Sequence, residues 1–312
     1  MKSSDATLPH KDKKMNQLGK LKMSIYQHLK ASELVKFNAD INHQAWPNID
    51  KPVWTELGDL IRKKEKDVKP QHGSDKWLTI RLDLRGFSKQ SKRLFPEKKY
   101  NEKFGIAMGT TLKAIMQETQ AKYGFTQSDE ITVLLPTHFH SDTNTFGEHM
   151  FSGKHDKIIS LTASLASVVL AQQLVLLGLT TLTDGDGMKP IVQFDARMAE
   201  WDTEQDAFQL ILWRGYDCTT NGISDAVFKS DLPNKKNLMG LSGQKKLHIL
   251  HENNILPLVA HQAYGTFLMK KRMMVQAKHG LTGEDIMVER GVIVQIEGSI
   301  VNNVKDGLIF QI

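Results

Sequence analysis

The chain contains a single cysteine, Cys218, so neither an intramolecular disulfide nor a zinc site of the Cys-x-x-Cys type can form, and a reducing compartment is expected. It has no internal repeat and no low-complexity tract, and its composition excludes a collagenous chain, a coiled coil or wholesale disorder. The opening MKSSDATLPHKDKK lacks the continuous apolar core of a secretory signal, and its acidic residues and Pro9 argue against a transit peptide. The cytoplasm is the expected compartment, with the mitochondrion as the alternative. One apolar stretch, Ile158 to Leu179, has about the length of a membrane span, but Ser160, Thr162, Ser164, Ser167, Gln172 and Gln173 interrupt it. It reads as a buried helix, and no membrane partner is expected. What remains is ordinary globular material: 312 residues, 40% hydrophobic and 24% charged, enough for one large domain or two smaller units. The net charge of +6, from 41 Lys+Arg against 35 Asp+Glu, favours an acidic partner such as nucleic acid without requiring one.

Residues 1–16 are polar and lysine-rich, which predicts a mobile tail, and a short helix is predicted from about Leu18 to Val35. Pro47, Pro52 and Pro70 mark an irregular docking segment with one helix near Trp54 to Lys64; the run RKKEKDVK, Arg62 to Lys69, reads as a solvated helix face rather than an RNA contact. From Trp77 the pattern changes. Trp77, Leu78, Ile80 and Leu82 predict a strand ending at Asp83, followed by a turn at Arg85 and Gly86. Phe104, Met108, Leu112, Ile115 and Met116 have helical spacing within Glu102 to Lys122, and Gly124 is expected to end that helix. Two strands, Phe125 to Gln127 and Ile131 to Leu135, flank the polar turn Ser128-Asp129-Glu130.

A helix over Lys157 to Leu179 follows, with Ser160, Ser164, Ser167 and Ala171 forming a small face for close packing. Then come a turn at Asp184-Gly185-Asp186-Gly187, a strand at Ile191 to Phe194 and a helix from about Glu204 to Lys229. The order β-α-β-β-α-β predicts an α+β fold of ferredoxin-like type, an antiparallel four-stranded sheet with both helices on one face. Beyond it lie a helix near Leu241 to His251, an apolar segment at Ala263 to Met274 and strands within Asp285 to Val301. Three regions result: an N-terminal extension with docking helices (1–76), the central α+β unit (77–229) and a C-terminal region (230–312).

In this topology Asp83 and Asp129 become neighbours, and two close carboxylates are the means by which polymerases and nucleotidyltransferases hold a pair of Mg²⁺ ions. Residue spacing alone leaves open the plainer alternative, in which Asp83 caps a turn and Asp129 with Glu130 occupies a solvated one. His138-Phe139-His140 with Asp142 has the alternation of a metal-binding strand, but a polar loop is the preferred reading. Asp184-Gly185-Asp186-Gly187 lacks the downstream glutamate of a calcium loop and reads as a turn. Cys218 has no histidine near it in sequence and reads as a buried thiol.

Four ordered motifs, Arg81-Leu82-Asp83-Leu84-Arg85-Gly86-Phe87, Gln127-Ser128-Asp129-Glu130, Phe194-Asp195-Ala196-Arg197, and Trp213-Arg214 with Asp217 and Asn221, resemble those of the tRNA(His) guanylyltransferase-like family, the 3′ to 5′ polymerases. Lys157 to Ser167 and Tyr264-Gly265-Thr266-Phe267 are similar to further family segments, and Leu18, Gly19 and Met23 to its opening. The resemblance implies a polymerase-type catalytic palm at 77–229, a fingers-like region at 230–312, and a metal-dependent nucleotidyltransferase that extends the 5′ end of a tRNA after activation by ATP. It implies two Mg²⁺ ions held by Asp83, Asp129 and the Leu84 carbonyl, with Glu130 and Ser128 in support. ATP, GTP and other NTPs would be bound by Arg81, Arg85, Gly86, Phe87, Ser88, Lys98, Ser128 and Asn221, and a homotetramer is implied. Asp195, Arg197, Arg214 and Asp217 read equally well as structural ion pairs. Leu84 replaces the family glycine, Ser88 the usual histidine, and Thr219-Thr220-Asn221-Gly222 the pattern His-Ile-Asn-Asn. The last of these patterns resembles the template-dependent tRNA-repair branch rather than the histidine-tRNA branch. A nucleotide cyclase, G addition to tRNA(His) and a non-catalytic RNA-binding protein are the competing functions.

Overall fold

The computed structural model describes residues 23–32, 34–35, 46–47, 49–95, 97, 99–140, 143–180 and 192–310. The elements in order are α1 (Ile25–Ala31), β1 (Leu34–Val35) paired with β2 (Trp46–Pro47), α2 (Lys51–Lys66), β3 (Trp77–Leu84), α3 (Phe87–Leu94), α4 (Glu102–Thr119), β4 (Tyr123–Gln127), β5 (Glu130–Leu135), β6 (His138–His140) paired with β7 (Thr145–Gly147), α5 (His155–Leu176), β8 (Phe194–Trp201) and α6 (Glu204–Lys229). They continue with α7 (Lys235–Met239), α8 (Gly243–Glu252), α9 (Ala260–Tyr264), β9 (Thr266–Lys278), β10 (Asp285–Ile296) and α10 (Ile300–Lys305).

The strand order β10-β9-β4-β5-β3-β8, with every pair antiparallel, contains the expected four-stranded β-α-β-β-α-β sheet and extends it by two strands. Alternation along the strands sorts side chains to two faces. Leu78, Ile80, Leu82 and Leu84 of β3 and Ile131, Val133 and Leu135 of β5 enter one core with Met108, Leu112 and Ile115 of α4 and Leu170 and Leu174 of α5. On the other face Phe125, Leu134, Ala199 and Trp201 join Trp54, Leu57 and Ile61 of α2, Phe208 and Ile211 of α6, and Ile300 and Val304 of α10. Burial of this order, at roughly 25 cal/mol per Å² of apolar surface, fixes the sheet between two helical layers. A third cluster binds α8 and α9 to the far half of α6 through Ile223, Val227, Leu247, Leu250 and Tyr264.

Local chemistry sets the ends. Thr203 caps α6, accepting from the Asp206 N–H, and Glu204 and Asp206 sit in its first turn, where the helix dipole favours them. Asn101 caps α4 by accepting from the Phe104 N–H.

Several expectations need correction. Gly124 does not end α4. The helix closes at Gln120 in a left-handed conformation, and Gly124 lies within β4, where a Cβ would stand 2.5 Å from the Met116 sulfur and 2.7 Å from Leu112 Cδ1. The strand placed at Ile191 to Phe194 is Phe194–Trp201, because the alternation of Ala196 and Met198 against Ala199 and Trp201 buries both faces. Ile300 and Val301 belong to a helix capped by Ser299 and not to a strand. The apolar segment at Ala263 divides at Gly265 into α9 and β9. His138–His140 forms a short strand rather than a loop. The small face of α5 is not its packing face: Ile158, Thr162, Ala166, Leu170 and Leu174 are buried, while Leu161, Val168 and Leu176 are exposed. This helix is long and apolar enough to cross a membrane by length and composition, but one of its faces packs on the sheet. Leu18, Gly19, Lys98, Asp142, the Asp184–Gly187 turn and the 1–16 tail lie outside the described residues.

Helices α6 and α9 approach closely at Gly222, where a Cβ would stand 2.2 Å from the Gln262 carbonyl oxygen. A backbone atom cannot yield as a side chain does. Gly222→Ala is therefore expected to destabilise the protein by about 1–3 kcal/mol, read from denaturant unfolding, and unchanged stability would show that the two helices separate freely.

Candidate active site

Asp83 pairs with Glu130 on β5 and with Asp195 on β8, and directly opposed residues of adjacent strands project to the same face. Three carboxylates thus stand in a row across the sheet, on the α6 side. One pair back along β3, Arg81 lies between Thr132 and Arg197. The fourth carboxylate, Asp129, sits at the hairpin tip between β4 and β5. There Ser128 takes a positive φ of 46° and its hydroxyl donates to Asp129 Oδ1 at 2.9 Å. The Leu84 N–H donates to the Asp129 carbonyl at 3.1 Å, which ties the tip to the end of β3.

Crowding has electrostatic consequences. Burial, and then the charge of Asp195, raise the Asp83 carboxyl above the ordinary range, against the pull of Arg197, Arg81 and Arg214. Burial also raises Asp129, opposed by the Ser128 hydroxyl and reinforced by Asp83. Burial raises Glu130 as well, but Arg214 and Arg81 oppose it most strongly.

The arginines divide the carboxylates into two kinds. Arg214 on α6 is bonded to Glu130 and lies 3.1 Å from Asp217, which also accepts from the Asn221 amide at 3.1 Å. Arg81 approaches Glu130 at 3.6 Å, so Glu130 is bracketed by cations. Among the described residues Asp83 and Asp129 form no ion pair. Arg81 is itself held by Glu65 of α2 in a two-pronged bond, Nε to Oε1 at 2.7 Å and Nη2 to Oε2 at 2.6 Å, with both side chains buried. Arg81, expected among the nucleotide ligands, is thereby committed to Glu65. The sequence reading missed Glu65 by assigning its charged run to solvent. The signal was its helical register with Trp54, Leu57, Gly58 and Ile61, the buried stripe of α2.

Next to the carboxylates opens a cavity of about 590 Å³, lined in part by Phe87, Ser88, Gln127, Ser128 and Asn221, with Lys92, Lys99 and Lys229 also on its walls. Gly86, at φ 69°, makes the left-handed turn from β3 into α3. Arg85 is exposed and braces this turn, its N–H donating to the Gln193 carbonyl at 2.8 Å and its guanidinium to the Gln193 side chain at 3.4 Å. Of the residues nominated from sequence, Phe87, Ser88, Ser128 and Asn221 meet at this cavity. Leu84 turns its side chain into the core under α4 and α5, so the larger residue leaves the Asp83 face clear. Cys218 is buried, and burial pushes its thiol up, as expected of an inert cysteine.

A smaller cavity of about 370 Å³ lies toward the other end of β3, lined by Gln71, His72, Glu148 and His149. Nearby, His72 contacts Glu200 and His155, each at 3.0 Å.

Among the described residues no three histidine, cysteine or acidic side chains converge in a shell that would hold a metal. Asp83 and Asp129 instead offer two oxygen-donor side chains with open coordination, the kind of set Mg²⁺ accepts when water and substrate phosphate complete it.

Two outcomes follow. Glu65→Ala strands a buried guanidinium and is expected to cost about 3–5 kcal/mol in unfolding free energy, much of it recovered in Glu65→Met with Arg81→Met; equal stability of Glu65→Ala and wild type would mean Arg81 finds water. Because the folded-state pKa of Asp83 lies above its unfolded value, its ionisation opposes folding, and the penalty develops as pH rises from the unfolded pKa to the folded one and is complete above it. Asp83→Asn should therefore raise Tm in metal-free buffer at neutral pH, with the advantage shrinking on acidification. A Tm difference independent of pH would contradict this.

The family model described as tRNAHis guanylyltransferase matches residues 59–201. An uncharacterized protein of Acanthamoeba polyphaga mimivirus is 28% identical over 240 residues, 72% of this chain and 78% of that protein. A bacterial tRNA(His) guanylyltransferase-like protein in complex with ATP superposes with a TM-score of 0.53 at 22% identity, covering 69% of this chain and 87% of its own. A bacterial protein of the same description, in complex with GTP, gives 0.51 at 21% identity, with 76% and 90% covered. The tRNA(His) guanylyltransferase from Saccharomyces cerevisiae gives 0.52 at 17% identity, with 72% and 94% covered. The family model spans β3 to β8, the part of the sheet that carries Asp83, Glu130 and Asp195, and over these residues the chain is similar to the tRNA(His) guanylyltransferase family.

Proposed function

We propose that the protein adds nucleotides in the 3′ to 5′ direction to the 5′ end of tRNA, in a metal-dependent and template-dependent repair reaction with activation by ATP. The observation that carries this reading is the pair Asp83 and Asp129, brought together at the end of β3 and free of ion pairs among the described residues, with Ser128, next to Asp129 in the chain, on the wall of a cavity large enough for a nucleotide. Two Mg²⁺ ions, held by Asp83, Asp129 and the Leu84 carbonyl, would activate the attacking hydroxyl and neutralise charge on the phosphates. Glu130, fixed between Arg81 and Arg214, sets the edge of that site, and Ser128 orients Asp129. Ser88, Ser128 and Asn221 present polar groups to the nucleotide, and Lys92 and Lys99 supply positive charge for its phosphates. That similar proteins have been solved in complex with ATP and with GTP supports a nucleotide as the ligand.

The repair reading draws support from α6. Thr219 is buried and donates to the Gly215 carbonyl, and the second asparagine of His-Ile-Asn-Asn would stand at position 222, where even a Cβ meets the Gln262 backbone. This chain therefore does not present the histidine-tRNA pattern. A homotetramer and a cytoplasmic setting complete the proposal.

The test is nucleotide addition to a 5′-monophosphorylated tRNA lacking its first nucleotide, with ATP, Mg²⁺ and labelled NTPs. Addition dictated by the opposing base is expected, with the rate lowered on the order of 10² to 10³ in Asp83→Ala and in Asp129→Ala. Unchanged turnover in either variant would remove that residue from the mechanism. Guanosine added regardless of the opposing base would favour the histidine-tRNA activity, cyclic product from NTP alone would favour a cyclase, and tRNA binding without addition would favour a non-catalytic RNA-binding protein.

A further inference from the structure

The cavity beside the carboxylates has two unlike walls. On one, Phe95 and Phe104 are 8% and 7% exposed, and the rings close on each other, Phe87 stacking on Phe104 at 5.0 Å and Phe95 meeting it edge-on at 5.3 Å. These faces are spent in the core. The other wall is one side of α6, where Asn221, Asp225 and Phe228 recur at helical spacing.

Several polar groups of that side have protein partners, while Tyr100 Oη and His261 Nε2, also on the lining, are buried without one. The Asn221 amide donates to Asp217. Asp225 Oδ2 takes the Lys229 ammonium at 2.9 Å and the Gln262 amide at 3.2 Å. Phe228 differs from both walls: it is a large apolar side chain on the cavity lining, yet 58% exposed. Asn221, near the carboxylate end, and Phe228 are two turns apart on the helix, about 10 Å along its axis. A nucleotide with its phosphates toward Asp83 and Asp129 would carry its base toward Phe228.

We propose that Phe228 is the stacking platform for the nucleobase of the incoming nucleotide. The inference rests on the nucleotide reading of the cavity given above. An aromatic face accepts a base of any kind, because each presents a π surface. Phe228 is in these terms a positioning residue.

The experiment is equilibrium binding, with Mg²⁺ and full-length protein, of ATP, GTP, CTP, UTP and inorganic tripolyphosphate to wild type, Phe228→Ala and Phe228→Trp. Wild type is expected to bind the NTPs. Phe228→Ala should weaken all four by about 5- to 150-fold while tripolyphosphate binding is unchanged, and Phe228→Trp should retain wild-type affinity. NTP affinity unaltered in Phe228→Ala, or tripolyphosphate weakened as much as the NTPs, would overturn the platform while leaving the nucleotide site standing. Wild type that binds none of the four would overturn the nucleotide reading of the cavity, and the platform with it.

Discussion

Antiparallel register places Asp83 opposite Glu130 on one side and Asp195 on the other, so like charges are forced together on one face of the sheet. The surrounding structure answers to that charge. Arg81 and Arg214 bracket Glu130, and Glu65 in turn holds Arg81 from α2. Without Glu65 the Arg81 guanidinium would be a buried cation with a single distant partner; without the arginines Glu130 would add its full charge to the row. Such a network is expensive to desolvate and contributes little net stability, and its value lies in leaving two carboxylates, Asp83 and Asp129, as the uncompensated ones.

Helix α6 connects this electrostatic arrangement to the rest of the molecule. Its first half packs under the sheet through Phe208 and Ile211, its middle delivers Arg214, Asp217 and Asn221 to the site, and its last turns carry Phe228 and the contacts to α8 and α9. Gly222 marks the boundary between those tasks, since only a residue without Cβ lets the Gln262 backbone come so close. The arginine that holds Glu130 and one wall of the cavity are therefore carried by the same helix, and a disturbance of α6 should be felt at both.

Much of this was legible in the sequence, for reasons that differ from element to element. The strand ending at Asp83, the hairpin carrying Asp129 and the helix Glu204–Lys229 announce themselves by alternation, turn residues and a capped, periodic run, and topology then brings the carboxylates together. Glu65 was hidden because its neighbours Lys63, Lys64 and Lys66 dominate the composition of that run, although its register with Ile61 is that of a buried position. Gly124 misled because a glycine after a helix usually ends it, whereas here it makes room for Met116 and Leu112 against β4. The packing face of α5 was misassigned because small residues lie on more than one side of it, and only the sheet beneath decides which side is buried. Phe228 carries no motif signature; its exposure on a cavity wall is a property of the folded chain.

Cation binding by Asp83 and Asp129 is most directly measured by titrating the protein with Mn²⁺ in the presence of a non-reactive NTP analogue and following the free ion by electron paramagnetic resonance. Wild type should bind the ion tightly, with affinity lost in Asp83→Asn and in Asp129→Asn and largely kept in Asp195→Asn, whose carboxylate has Arg197 as its partner at 3.8 Å. Undiminished Mn²⁺ binding in Asp83→Asn and Asp129→Asn would contradict the assignment of these two carboxylates as the centre of the site.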